Sequence, residues 1–261
     1  MPAEHQVIEL DRLVSEYHAG GRPRGSMRPV YEVCASAISK LLPEGGKVID
    51  LGAATGRVAA VVARHRPDAQ IVGVDLSGEM VRTANSALAE EGLSDRVTMR
   101  LGDMRSFGEL VTDNVAVVAS SWALENLPTV DDMDRCLAEI AAVRERTGCA
   151  IWLFNFARLN SAHSYPALQQ LVGGVTPLLA RNGVAGEASA PTFSELQTQL
   201  EAAGLHDLNH AVFRPLPFLQ AHWAPGPSTG DAHKRLWQRV SLPLQTRMDI
   251  AVLRAGLRPL P

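Results

Sequence analysis

Residues 48–57 read VIDLGAATGR. An apolar run delivers the carboxylate of Asp50, and Gly52, Ala53, Ala54, Thr55 and Gly56 follow with very small side chains. Such a row suits a main chain that must come close to a ligand, and a helix beginning at its end would offer free N–H groups to an anion.

On both sides of this turn apolar strands alternate with amphipathic helices. Strands are expected at KVIDL (47–51), AQIVGVD (69–75), RVTMRLGD (96–103), NVAVVASS (114–121) and CAIWLFNF (149–156), with helices at 55–65, 78–91 and 130–146. Strand–helix–strand repeats of this length build a parallel sheet covered on both faces, so residues 47–156 are read as a doubly wound, Rossmann-like α/β core. Two helices precede it, at about 4–18 and 27–42, ended by Gly20-Gly21 and by Pro43 with Gly45-Gly46. Residues 157–190 are helical in patches, interrupted by Pro and Gly, and read as a lid-like insertion after the fifth strand, able to hinge at Gly173-Gly174 and Gly183. Thr192 and Glu195 have the spacing of a capping box opening a helix over 193–205. HDLNHAVFRPL and PFLQAHWA, residues 206–224, then supply two last strands, turned around Pro215 and Pro217, for a sheet of about seven. The expected organisation is an N-terminal helical cap (1–26), a main domain (27–225) and an amphipathic, arginine-rich tail (226–261).

Composition narrows the class of protein. With 46% hydrophobic and 20% charged residues the chain has the make-up of an ordinary globular protein. It contains no apolar run of the roughly 18 residues that a spanning helix needs, and its first residues show no secretory core, so a cytoplasmic address without membrane attachment is expected. A net charge of −3 counts against a nucleic-acid partner. Cys34, Cys136 and Cys149 form no CxxC pair, which argues against a disulfide framework or a zinc site, and no metal is expected.

In an open α/β sheet a ligand lies beyond the carboxyl ends of the strands, where the GAATG turn falls. A pyrophosphate would want G-x-G-x-x-G, which Gly52 and Gly56 do not supply. Asp50, aimed at the cavity, would repel phosphates and pair with an amino group. Asp75 ends the second strand and suits the two hydroxyls of a ribose. Asp103, after Gly102 at the end of the third, suits an adenine amino group. An adenosine carrying a zwitterionic amino acid satisfies all three acids.

Over residues 27–225 the chain resembles the class I S-adenosylmethionine-dependent methyltransferases. The matching pieces are VIDLGAATGR for the D-x-G-x-G-x-G turn, VGVDLSGEM for the ribose-binding strand end, RLGDM for the adenine-contacting turn and ASSWALENLP after the fourth strand. Ala54 replaces the second glycine of the family turn. The resemblance implies S-adenosyl-L-methionine as cofactor and S-adenosyl-L-homocysteine as product. It places Asp50, Gly52, Ala53, Ala54 and Gly56 at the methionine end, Asp75, Leu76 and Met80 at the ribose, and Gly102, Asp103 and Met104 at the adenine. Ser120, Ser121 and Trp122 border the cofactor or acceptor, and Tyr17, with His18 and Arg22 beside it, closes over the site.

Methyl transfer is an in-line displacement that needs alignment above all, and a base only for acceptors that must lose a proton. The Asn/Asp-Pro-Pro-Tyr/Phe motif of nucleic-acid amino methyltransferases is absent after the fourth strand, where Ser120-Ser121-Trp122-Ala123 stands. A small molecule methylated on oxygen or nitrogen, in a biosynthetic pathway, is therefore the leading expectation. A methyltransferase of RNA or protein docking through the arginine-rich tail, or a non-catalytic cofactor-binding partner, are the alternatives; the same tail is a candidate homodimer interface. Candidate acid–base groups are His163, Glu125 and His222, with His210 behind them. Candidate acceptor contacts are Asn126, Asn155, Arg158 and Tyr165.

Overall fold

The computed structural model describes residues 4–22, 25–111, 114–159, 165, 176–212 and 217–229. Its strands are β1 (Lys47–Leu51), β2 (Gln70–Asp75), β3 (Val97–Leu101), β4 (Val115–Ser121), β5 (Ala150–Phe156), β6 (Asn209–Val212) and β7 (Leu219–Ala224). They form one sheet in the order β3-β2-β1-β4-β5-β7-β6. β1 to β5 run parallel, and β7 enters antiparallel between β5 and β6. The chain leaves β1 toward β2 on one side and later returns to β4 on the other, so the strand order reverses between β1 and β4. A crevice opens there, beyond the strand ends.

The helices are α1 (Glu4–Gly20), α2 (Arg28–Leu41), α3 (Arg57–His65), α4 (Gly78–Glu90), α5 (Val130–Thr147), α6 (Pro177–Ser189) and α7 (Phe193–Ala202). α2, α3 and α4 bury Ile38, Leu41, Val61 and Leu88 against one face of the sheet. On the other face α5 and α7 bury Leu137, Ile140, Leu196 and Leu200. The strands read as continuous apolar runs because both faces are covered. Ser77 and Thr129 cap α4 and α5 by accepting from the amides of Met80 and Asp132, and Gly148 ends α5 in the left-handed conformation. Thr192 and Glu195 form the expected capping box.

In the later portion of the 157–190 segment the helical patches expected from the sequence form a regular 13-residue helix, α6. Pro177 stands at its start, Thr176 caps it through the Leu179 amide, and Gly186 lets it lie on the Phe156 ring, where a Cβ would come within 3.3 Å. Among the described residues of HDLNHAVFRPL, 206–212, Asn209–Val212 is extended and pairs with Gln220–Trp223 of β7. The expected hinge at Gly173-Gly174, the turn residue Pro215 and the tail beyond 229 lie outside the described residues. Among the described residues no helix is long and apolar enough to cross a membrane, and no cluster of His, Cys, Asp and Glu could hold a metal ion.

Candidate functional site

The crevice holds a cavity of about 370 Å³ bounded by the ends of β1 to β4, by α1 and by α6. Its floor is the 52–56 turn. Gly52 has φ +64°, and a Cβ there would meet the Ala123 Cβ at 2.2 Å, so only glycine fits between β1 and the loop after β4. Ala54 also takes a left-handed φ, +46°. Asp75 holds it there: one carboxylate oxygen accepts from the Ala54 amide at 2.8 Å and the other from the Ser77 amide at 2.8 Å. The second acid thus shapes the first turn as well as lining the cavity. Ala53 lines the wall, while Gly56, also left-handed, serves as N-cap of α3 behind it.

Asp50 is 3% exposed and lines the same cavity. Burial, and then the Asp75 carboxylate, push its carboxyl up to about 7. No hydrogen-bond donor or cation among the described residues lowers it. A buried carboxyl without a counter-charge is costly to ionise, and a bound ammonium group removes that cost. Leu76 and Met80 flank Asp75 on the wall, with Leu76 69% exposed at the rim.

At the end of β3, Gly102, Asp103 and Met104 line the cavity beside Arg105. The Arg105 guanidinium donates to both Asp103 oxygens, at 2.9 and 2.5 Å, and to Asp132 at 2.5 Å. These contacts hold the Asp103 carboxyl below its ordinary range and the Asp132 carboxyl at about 2. Asp103 is therefore a fixed, ionised acceptor, oriented from α5 through Arg105.

After β4 the chain turns through Trp122, which has φ +55°. Ala54 and Trp122 are the two non-glycine residues with positive φ among those described, and both face the cavity. Such conformations cost on the order of 1–3 kcal/mol and persist where surrounding packing holds them. Around Trp122 that packing is aromatic: Tyr31 at 5.9 Å, Phe154 at 5.5 Å and Phe156 at 6.1 Å between ring centroids. Its indole N–H is buried with no acceptor among the described residues. Ser121 and Asn126 also line the cavity, whereas Ser120 lies in the sheet and donates to the Leu51 carbonyl at 3.2 Å.

The roof joins two helices far apart in sequence. Asn182 of α6 donates to the Tyr17 hydroxyl of α1 at 2.6 Å, and both side chains line the cavity. Thr176 and Glu16 make a second contact between the same helices. Just behind lies Glu125, 3% exposed, whose carboxyl burial pushes up to about 8. It accepts from the Phe156 amide, and the Asn155 side-chain nitrogen, in the orientation that satisfies its neighbours, stands 3.3 Å from its Oε2.

Several candidates fall elsewhere. His222 is fully buried on β7, stacked on Phe193, with its Nδ1 2.7 Å from His210 Nδ1 and its Nε2 3.1 Å from Gln220 Oε1. Both ring nitrogens are engaged within the sheet layer, outside the cavity, so the role given to it as a base is corrected to a structural one. Arg158 does not reach the cavity either: it donates to Glu195 at 2.6 and 2.9 Å, bordering a separate groove between α5 and α7. Asn155 is buried beneath α6 and meets Glu125 rather than the cavity. Tyr165 is buried against Phe156 and Phe218. His163 lies outside the described residues. Sequence reasoning missed Asn182, Tyr31 and Arg105; only Arg105, next to the strand-tip acid, carried a local signal.

A family model described as a methyltransferase domain matches residues 48–148, the stretch that contains the turn and all three acids. The chain is 29% identical to a ubiquinone/menaquinone biosynthesis C-methyltransferase, UbiE, of Desulfotalea psychrophila, over 69% of each protein. It is 26% identical to the methyltransferase GfsG of Streptomyces halstedii, over 62% of this chain and 66% of that one. An O-methyltransferase family protein of Burkholderia thailandensis superposes with a TM-score of 0.56 at 15% identity, over 77% of this chain and 56% of its own. The chain therefore spans about two thirds of these curated relatives and just over half of the solved one, whose likeness is one of fold.

Proposed function

We propose that this chain is a class I S-adenosylmethionine-dependent methyltransferase and that it methylates oxygen or nitrogen of a small-molecule acceptor in a biosynthetic pathway. The supporting observation is the roof. The Tyr17–Asn182 contact closes α1 onto α6 above the cavity, which favours an acceptor held beneath two helices beside the cofactor. That enclosure suits a metabolite better than a polymer chain, which needs an open groove. The Desulfotalea relative is named a C-methyltransferase of ubiquinone/menaquinone biosynthesis, which favours a biosynthetic setting and not the choice of oxygen or nitrogen.

The residues present fit the cofactor. Asp50 is the unpaired buried carboxyl that an ammonium group would satisfy, and the Gly52 cradle excludes even a Cβ. In this reading Asp75 takes the ribose hydroxyls with the lone pairs its amide contacts leave free. Asp103 and Met104 border the adenine, with Leu76 and Met80 on its ribose side. Once bound, the cofactor supplies an electrophilic methyl group on a sulfonium. The chain's own part is to orient the acceptor, through Trp122, Asn126 and Tyr17, and to exclude water. Glu125, the buried carboxyl next to these groups, is the base in reach of the roof.

The test is incubation with methyl-labelled S-adenosylmethionine and an extract of the source organism split by size. Label in the low-molecular-weight fraction is expected. Label confined to RNA or protein would contradict the reading.

A further inference from the structure

Two carboxyls at or just behind the cavity wall are buried without a counter-ion among the described residues: Asp50 and Glu125. The described cations lining the cavity are paired, although the Arg57 Nη2 is buried without an acceptor among the described residues. Arg57 pairs with Glu91 at 2.5 Å, and Arg105 with Asp103 and Asp132. Neither buried carboxyl has a described cation beside it. If Asp50 takes the amino group of the cofactor, Glu125 is left over.

Among the described residues, the surroundings of Glu125 contain no cation. From β5 it meets the Phe156 amide and Asn155; from α6 it is covered by Gly186, and its own carbonyl accepts from Ser189. The titratable groups that feel its charge are the Tyr17 hydroxyl on α1 and the Tyr165 hydroxyl, the latter also facing Glu187. Three rings line the cavity, Tyr17, Tyr31 and Trp122, and of these Tyr17 feels the Glu125 charge. Aromatic faces backed by a buried carboxylate favour a cation. A neutral alcohol or phenol gains a single hydrogen bond from that charge, whereas an ammonium ion also gains a counter-ion.

Resting on the small-molecule reading above, we propose that the acceptor is an amine, held as an ammonium ion against the Tyr17, Tyr31 and Trp122 rings by the Glu125 carboxylate behind them. The ammonium ion gives up one proton, which passes by way of the Tyr17 hydroxyl to Glu125. The freed nitrogen lone pair forms the bond to the methyl carbon as the carbon–sulfur bond breaks, its electron pair remaining on sulfur. The product is the protonated N-methylamine, and the proton on Glu125 is later lost to water. Glu125 acts as a positioning residue through Tyr17. A carboxyl held near neutrality is matched to exchange a proton with an amine at working pH.

The test uses the full chain, methyl-labelled S-adenosylmethionine and the low-molecular-weight extract fraction, divided in two. One half is acetylated on amines with an N-hydroxysuccinimide ester and then treated with hydroxylamine to free any phenol esters. Label uptake at least 10-fold lower in that half is expected; undiminished uptake overturns the amine assignment while leaving the small-molecule reading intact. Label found only in polymer overturns both. In parallel, Glu125→Gln is expected to bind S-adenosylhomocysteine within about 3-fold of wild type yet transfer methyl at least 30-fold more slowly, with the rise of rate between about pH 6 and 9 flattened. Should Glu125→Gln fail to fold, Tyr17→Phe, which removes the hydroxyl and its Asn182 contact, carries the same expectation for methyl transfer and for the pH profile, with S-adenosylhomocysteine dissociation faster by about 2- to 10-fold, as expected for loss of that contact. An unchanged rate and pH profile in the folded variant contradicts the proposal.

Discussion

Asn182 donates to the Tyr17 hydroxyl at 2.6 Å, tying helix α6 to helix α1 over the cavity. The bond is half-buried and joins segments 165 residues apart, so it holds the roof shut rather than stabilising either helix by itself. A hydrogen bond of this kind contributes about 0.5–1.5 kcal/mol. Asn182→Ala is therefore expected to speed S-adenosylhomocysteine dissociation by about 2- to 10-fold, measured by stopped-flow chase. An unchanged rate would show that the roof does not gate exchange.

The Asp50 carboxyl makes cofactor binding depend on pH. Its pKa of about 7 in the free protein reflects burial first and the Asp75 charge second. An ammonium ligand favours the ionised form, so binding releases a proton, and affinity falls as pH drops below about 7. Calorimetry from pH 8 to pH 5.5 is expected to show S-adenosylhomocysteine affinity declining by up to about tenfold per unit, with proton release near neutral pH. Asp50→Asn should bind more weakly and lose that dependence. Stability moves the other way: the raised pKa means the folded chain holds more protons than the unfolded one between about pH 4 and 7, so Asp50 costs stability as pH rises through that window. At pH 8 Asp50→Asn should melt higher than wild type.

The turn discriminates between its two glycines. Gly52→Ala adds a left-handed alanine and a clash with Ala123 at 2.2 Å, whereas a Cβ at Gly56 meets the Met99 sulfur at 3.3 Å. Strain and overpacking together predict a loss of about 2–4 kcal/mol at Gly52, and about 1–2 at Gly56, where strain dominates. Urea unfolding of the two variants checks the order, which is the informative part.

Strand-tip acids could be read from the chain because a parallel sheet covered on both faces writes its strands as apolar runs, and Asp50, Asp75 and Asp103 break those runs at their ends. The small-residue row was equally local. What escaped depends on the third dimension. Asn182 lies on a helix whose glycines made it look irregular, and nothing near it in the chain points to Tyr17. Glu125 reads as a polar loop residue until α6 covers it. His222 and Arg158 stood at plausible places after strands, but antiparallel insertion of β7 turns His222 onto Phe193, and Glu195 of α7 engages Arg158.

His222 gives a prediction that separates structure from chemistry. Burial, with His210 beside it, lowers its pKa to about 3. An unfolded histidine titrates near 6.5, so the unfolded chain takes up protons first and stability is lost as pH falls from about 6.5 toward 3. His222→Asn should show a smaller drop in melting temperature between pH 7.5 and pH 5 than wild type. At pH 7.5 it should bind S-adenosylhomocysteine as wild type does, measured by calorimetry; a lost affinity would return His222 to the functional site.

The most direct test of the cradle is a crystal structure with S-adenosylhomocysteine. It is expected to lie between the 52–56 turn and the Tyr17–Asn182 roof, its ammonium group against Asp50, its ribose hydroxyls on Asp75 and its adenine beside Asp103 and Met104. The ligand bound in another cleft, or its amino acid pointing away from Asp50, would contradict the account.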